Sequence, residues 1–253
     1  MIVCRVAVLR SAGRMIAGAL LLAALAGCQI LNAVTQPLDL YTVTPKSTFD
    51  PNLPDVFWQL TVEEPVAAGN LNTSRIAIAM TPTSSDYYSK TAWTDRLPLM
   101  VQTRIVDSFE NTHKIVAVSR DSIGLRPNYV LQPDLRNFEA MYFYGGAPIA
   151  HVRIVAKLVR MPDRQIIGVG TFERCARARA DRIPSVVEAF DQALGGTMKA
   201  LVSWTLRTPP AHPASDYAPY NIEKFRNPNK AIEDSVGCPR GNDASNVPVV
   251  DAT

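Results

Sequence analysis

The sequence predicts an α+β fold: a two-layer domain in which a mainly antiparallel sheet is covered on one face by two long helices, followed by an irregular C-terminal tail. Three observations predict it. Two apolar stripes recur at helical spacing, runs of alternating apolar and polar residues joined by hairpin signals fill the sequence around them, and prolines break all periodicity after Arg207.

Residues 40–44 form a short β-prone stretch. In residues 57–66, Trp58, Leu60 and Val62 alternate with other positions, and in residues 75–80 Ile76, Ile78 and Met80 share one face, so both segments read as half-buried strands. A polar segment carrying Tyr87, Tyr88 and Trp93 has room for another short strand. The first helix runs from residue 97 to about 111. Leu97, Val101, Ile105 and Phe109 recur every four positions, Val106 widens the stripe, and Pro98 lies in the first turn, where its missing N–H costs least. Residues 114–119 return to strand through Ile115, Val116 and Val118. Residues 129–144 then lead to Gly145-Gly146, a pair that accepts the positive φ of a tight hairpin. The next strand is the clearest: Val152, Ile154, Ala156 and Leu158 point one way, His151, Arg153 and Lys157 the other. Pro162-Asp163 turns the chain, and residues 165–176 run back as the hairpin partner.

The second helix covers residues 183–206, with Ile183, Val187, Phe190, Leu194, Met198, Leu201 and Val202 in one stripe and Pro184 in its first turn. Gly195-Gly196 inside it costs about 1 kcal/mol per residue relative to Ala, so either the helix bends there or a neighbour packs closely on it. Beyond it, Pro209, Pro210, Pro213, Pro219, Pro228, Pro239 and Pro248 mark residues 208–253 as a largely irregular tail.

The N-terminus follows a different logic. Arg5, Arg10 and Arg14 precede an apolar run at residues 15–26, which is too short for a bilayer core that takes about 20 residues. The run closes in Leu25-Ala26-Gly27-Cys28. Small residues directly before a cysteine resemble the lipobox of bacterial lipoproteins, where the thiol receives diacylglycerol and the chain is cut before it. The plainer alternative is an ordinary secretory signal in which Cys28 is incidental. On the lipobox reading, residues 1–27 are a signal peptide, 28–37 a tether, 38–207 the folded domain and 208–253 the tail. Cys28 is then the lipid attachment site, and two or more acyl chains hold it stably at about 0.8 kcal/mol per buried methylene.

Removing the first 27 residues takes away three arginines and no acid. The 26 basic residues of the full chain fall to 23, matching its 23 acidic ones, and the formal net charge goes from +3 to zero. The argument from excess positive charge to nucleic acid is thereby withdrawn, and no nucleic-acid partner is expected. No second long apolar run follows. Cys4 leaves with the signal and Cys28 with the lipid, so Cys175 and Cys238 remain as an even pair able to bridge in an oxidising compartment. The alternative is two unpaired thiols, one in a strand and one in the tail.

Catalytic patterns do not emerge. His113, His151 and His212 anchor no recognisable motif, and a G-x-S-x-G elbow, an H-E-x-x-H helix, a Walker-type loop and closely spaced Cys or His pairs are all missing from the sequence. No enzyme activity, cofactor or metal is expected. Two surface features stand out. Arg174, Arg177, Arg179 and Arg182 gather around the end of the last strand, where Arg177 and Arg179 share a face in strand geometry; they are either a solvated face or a contact for anionic lipid headgroups or an acidic partner. Met141, Tyr142, Phe143 and Tyr144 precede the glycine pair and serve either core packing or docking on a subunit or membrane interface.

Several segments together resemble the ABC-type transport auxiliary lipoprotein family, which includes PqiC-like lipoproteins associated with MCE systems. They are the Cys28 anchor, Leu40-Tyr41-Thr42-Val43-Thr44-Pro45, Tyr87 to Trp93 leading into Leu97-Pro98, Tyr129-Val130-Leu131 with Phe138-Glu139, and Val186-Val187-Glu188-Ala189-Phe190-Asp191 with Trp204. The chain departs from the family pattern by continuing for more than forty residues after the last helix. The resemblance implies a non-catalytic lipoprotein facing the periplasm. It would be an accessory to an ABC permease and ATPase and to an MCE-domain protein carrying phospholipid between membranes, and would be able to form homo-oligomers. Gln29, where Asp would often signal inner-membrane retention, points to the outer membrane. The rival readings are a lipoprotein regulator that binds a cell-wall synthesis enzyme and a periplasmic hydrolase with an unrecognised site.

Overall fold

One long strand organises the molecule. The computed structural model describes residues 37–120, 126–210, 237–239, 241 and 243–250, and Cys28, the signal segment, nearly all of the tether and His212 lie outside these described residues. Among them, nine strands and two helices follow in the order β1 (Asp39–Tyr41), β2 (Val56–Val62), β3 (Val66–Ala67), β4 (Arg75–Thr81), β5 (Ser84–Trp93), α1 (Leu97–Glu110), β6 (Ile115–Ser119), β7 (Tyr129–Met141), β8 (Ile149–Arg160), β9 (Gln165–Arg177) and α2 (Ile183–Arg207). Along one edge β7 pairs antiparallel with β8 over its whole length, and β8 pairs antiparallel with β9. Along the other edge β7 is shared by three partners, taking β2 at Tyr129–Leu131, β3 at Asp134 and Leu135, and β4 at Glu139–Met141.

The fold is α+β, and its sheet is mixed. The long hairpins β7–β8–β9 and β4–β5 are antiparallel, while β1 with β5, β2 with β6, and β7 with β2, β3 and β4 pair in parallel. Local hairpin signals announce only the first kind. Parallel pairs arise from crossovers, here through α1 between β2 and β6, and leave no short-range mark in the sequence.

Both helices cover one face: α1 lies against β2 and β6, α2 against β8 and β9, and the helices touch each other. At their crossing, the buried Ser108 hydroxyl returns a hydrogen bond to Arg104 O and lies 3.3 Å from the Met198 sulfur. Leu97, Val101, Ile105, Val106 and Phe109 of α1 are all buried, and Pro98 stands in its first turn. In α2 the buried stripe begins at Val186 instead of Ile183 and Val187, which are half-buried, and continues through Phe190, Leu194, Met198, Leu201 and Val202. Trp93, Phe138 and Phe190 fill the centre, with Phe138 stacked on Phe190 at 4.8 Å and Trp93 edge-on to both.

The glycines of α2 answer to a neighbour, because a Cβ on Gly196 would sit 3.1 Å from Arg174 Cγ. Another close approach lies in β9, where Trp204 lies over Gly168 and Gly170 and the Phe172 ring lies over Gly170. In β4 a register shift between Arg75 and Ala77 puts Ala77 beside Ile76 in the core. Met80, expected to share that buried face, lies beyond the last β4–β7 pair, Ala79 with Met141, and is exposed.

Candidate functional site

The sheet face away from the helices carries the polar residues and the chemistry. On β8, Val152, Ile154, Ala156 and Leu158 turn to the helices and are fully buried, which leaves His151, Arg153 and Lys157 on the opposite face. Register then places partners beside His151: Glu139 of β7 lies directly opposite, Cys175 of β9 lies opposite on the other side, and Glu173 is one diagonal step away. His151 Nε2 is 2.6 Å from a Glu173 carboxylate oxygen and Nδ1 is 3.3 Å from Glu139 Oε1. Asn137 Nδ2 donates to the same Glu139 oxygen at 2.8 Å. Burial disfavours the imidazolium, yet the hydrogen bonds and charges of Glu139 and Glu173 outweigh it and push the His151 pKa up to about 9. The cluster is therefore a cation held between two carboxylates. His113, by contrast, sits at φ 52° in the turn after α1, away from this face.

The C-terminal residues close over this region. Cys238 is disulfide-bonded to Cys175, with their Cα atoms 4.7 Å apart. Arg177 N donates to Pro248 O and Val250 N donates to Arg177 O, forming a single parallel bridge between Arg177 and Val249. Met141, Ile149, Cys175, Cys238 and Val247 form a second small core under this strap, with Phe143 and Tyr144 packed against it. The aromatics before the glycine pair thus divide: Phe143 and Tyr144 pack under the strap, and the Tyr142 hydroxyl pairs with that of Tyr88 and donates to Asp181, each at 2.7 Å. Burial pushes the pKa of Tyr142 up to about 12 and that of Tyr88 higher still.

The four arginines do not form one patch. Arg174 lies on the helix side against Gly196 and donates to Glu173 O. Arg177 faces the hairpin and donates to the carbonyls of Gly145 and Ala147, at 2.8 and 2.9 Å, bracing the two positive-φ glycines. Because β9 ends at Arg177, Arg179 is beyond strand geometry and does not share a face with it; Arg179 pairs with Glu188 at 2.9 Å. Arg182 occupies the N-cap position of α2 and donates to Ser185 Oγ.

At the other end of the sheet, a groove of about 1370 Å³ is lined by residues of β2, β7, β8 and β9 together with Leu99 and Gln102 of α1 and Arg120. Val130, Val159 and Ile166 give it an apolar floor, Thr61, Glu63 and Gln132 one wall, and Arg126 and Arg164 part of the rim. Gln132 Nε2 donates to Glu63, and Gln102 Nε2, buried below, donates to Val62 O. Among the described residues no helix is long and apolar enough to cross a membrane.

Sequence reasoning saw His151 as a residue of a polar face and missed its carboxylate partners. The pairing of β7, β8 and β9 was legible, and Glu139 falls opposite His151 in the unshifted part of β7–β8, but placing Cys175 and Glu173 beside His151 needed the β8–β9 register, which the irregularity between Leu158 and Val159 shifts by one residue.

Comparison with known proteins agrees with this architecture. A crystal structure of protein XCC0632 from Xanthomonas campestris, of the DUF330 family, superposes with a TM-score of 0.64 at 33% identity, covering 67% of this chain and 95% of that one. A second crystal structure, of an uncharacterized protein, shares the fold at 12% identity and a TM-score of 0.53, over 66% of this chain and 97% of that one. The uncharacterized protein bll6063 of Bradyrhizobium diazoefficiens is 29% identical over 152 residues, 58% of this chain; the match spans only 39% of that relative's length. The profile of the ABC-type transport auxiliary lipoprotein components matches residues 38–202, which is most of the folded body and more than half of the chain, and the chain belongs to that family.

Proposed function

We propose that this protein is a lipoprotein anchored through acylated Cys28 and facing the periplasm, with no catalysis of its own. It serves as an accessory of an ABC-type lipid transport system, beside an MCE-domain protein, a permease and an ATPase. The observation that carries the reading is the order of parts: a lipobox-like Cys28 stands ten residues before the segment that matches the transport auxiliary family. Gln29 favours delivery to the outer membrane, where the tether would hold the folded body at the periplasmic surface. The grooved sheet face and the strap offer surfaces for partners, including further copies of the chain, while the Arg174, Arg177, Arg179 and Arg182 side chains serve mainly internal contacts.

The test is expression of the full chain in a diderm bacterium with an alkyne fatty acid, followed by cross-linking and mass spectrometry. The expected product carries label on Cys28, sediments with outer membranes and captures an MCE-type protein; Cys28→Ser loses the label and becomes soluble. An unlabelled wild type free in the periplasm would overturn the anchoring. Capture of a cell-wall synthase in place of an MCE protein would overturn the transport role and favour the regulator.

A further inference from the structure

Beneath the strap, the imidazole of His151 and the sulfurs of Cys175 and Cys238 bring their ligating atoms within 4.8 Å of one another. Two carboxylates adjoin them. Glu173 lies 2.6 Å from Nε2, and Glu139 faces Nδ1 while being held from behind by Asn137. In the disulfide form the sulfurs carry no charge and offer no thiolate. Reduction changes the donor set. Two thiols appear beside an imidazole and a carboxylate, a combination of soft and borderline donors that suits a thiophilic divalent ion over calcium or magnesium.

We propose that reduction of the Cys175–Cys238 disulfide converts this point into a zinc site, with Cys175 Sγ, Cys238 Sγ and His151 Nε2 as ligands and Glu173 supplying an oxygen. Glu139 is then the orienting partner, accepting a hydrogen bond from Nδ1–H, the carboxylate–histidine arrangement common behind zinc ligands. Metal–ligand lengths of about 2.3 Å to sulfur and 2.0–2.1 Å to nitrogen place tetrahedral donors roughly 3.5 Å apart, so the three atoms need only side-chain adjustment once the sulfurs separate. The chemistry balances. A dithiol reductant gives two electrons and two protons to the S–S bond and closes into its own disulfide, leaving two protein thiols. Zn²⁺ then displaces both thiol protons to solvent and binds the Nε2 lone pair, while Nδ1–H stays toward Glu139. The metal would also take over the cross-link, keeping the strap fastened to β9 after the covalent bond is lost. This inference does not depend on the transport role.

The experiment uses the purified full-length chain, stripped with a chelator, oxidised or reduced with a phosphine. Titration with Zn²⁺ against a chromophoric chelator should show one ion per reduced chain and none per oxidised chain. Co²⁺ in place of zinc should give thiolate-to-metal charge-transfer absorption with tetrahedral d–d bands. His151→Gln should weaken zinc binding at least a hundredfold, and Glu139→Gln by about tenfold, the range expected for an orienting partner. Circular dichroism of both variants in the oxidised form checks that they are folded, and Cys238→Ser gives an independent loss of binding. Zinc uptake that is equal in the oxidised and reduced forms, or absent from both, would overturn the site. So would reduced His151→Gln binding as tightly as wild type, which would reduce it to a bare cysteine pair.

Discussion

Replacing His151 by glutamine tests whether a cation between carboxylates stabilises the strap side of the sheet. Burial lowers the pKa of His151 and the two glutamates raise it further, from 6.5 to about 9. The folded state therefore binds the proton more tightly than the unfolded chain. Its contribution is complete below pH 6.5, declines through the interval and is gone above about pH 9. One pKa unit corresponds to about 1.4 kcal/mol, so the contribution is about 3 kcal/mol. Few other groups confuse this window. The disulfide cysteines do not titrate, and Tyr88, Tyr129 and Tyr142 all shift upward, away from it. Urea unfolding of the oxidised protein, followed by tryptophan fluorescence from pH 6 to 9.5, should show wild type losing about 3 kcal/mol. His151→Gln should start lower by about the same amount and stay nearly flat. Coincident profiles for the two proteins would refute the reasoning.

Three other perturbations follow from the packing. In Gly170→Ala the new methyl would lie 2.5 Å from Phe172 Cζ and 3.3 Å from Trp204 Cε2. Overpacking of about 1–3 kcal/mol should exceed the gain of about 0.5–1 kcal/mol from a stiffer unfolded chain, so calorimetry should find Tm lower by roughly 3–6 °C, and a higher Tm would contradict the packing. Cys238→Ser opens a bridge between residues 63 apart in sequence, which the chain-entropy relation values at about 4 kcal/mol. Hydrogen exchange should quicken at the amides of Arg177 and Val250, which bond across the strap, while the amides of β8 keep their protection. Tyr142→Phe leaves the Tyr88 hydroxyl and Asp181 without their shared partner and should cost about 1 kcal/mol in urea unfolding; an unchanged midpoint would show that water replaces the phenol at no cost.

Elements were legible where a buried stripe dictated the spacing. The four-residue recurrence of Leu97, Val101, Ile105 and Phe109 and the alternation from Val152 to Leu158 both name the faces that the structure buries. Gly145-Gly146 named its turn, and both residues have positive φ. Non-local features stayed hidden. Met80 is exposed because β7 ends one pair before it, the parallel pairing of β2 with β6 depends on a crossover, and the slot for Trp204 depends on two glycines that any strand reader would take as weakness. The candidate site was legible as parts only: the sequence offered Cys175, Cys238 and His151 separately, and the three strands and the strap that bring them together lie across 100 residues of chain, roughly, where no spacing rule reaches.

Two of the segments that carry the family resemblance, far apart in sequence, meet directly. Thr44, from the Leu40–Pro45 stretch, donates its backbone N–H and its hydroxyl to Asp191, from the Val186–Asp191 stretch, at 2.5 and 2.9 Å. Two residues later Lys46 N donates to Ser108 Oγ of α1, and Asn111 Nδ2 donates back to Lys46 O. The incoming chain is thus tied to both helices directly after β1, whose own pairing with β5 covers only three residues. A short parallel edge strand resists pulling poorly by itself. With hydrogen bonds to α1 and α2 behind it, tension arriving along the N-terminal segment passes into the helix layer, whose apolar stripes are buried. On the proposed anchoring, a body tethered by its N-terminus to a membrane while partners pull on its opposite sheet face needs that connection. The sequence places its polar tie at Thr44 and Asp191, where a packed core alone would not require one.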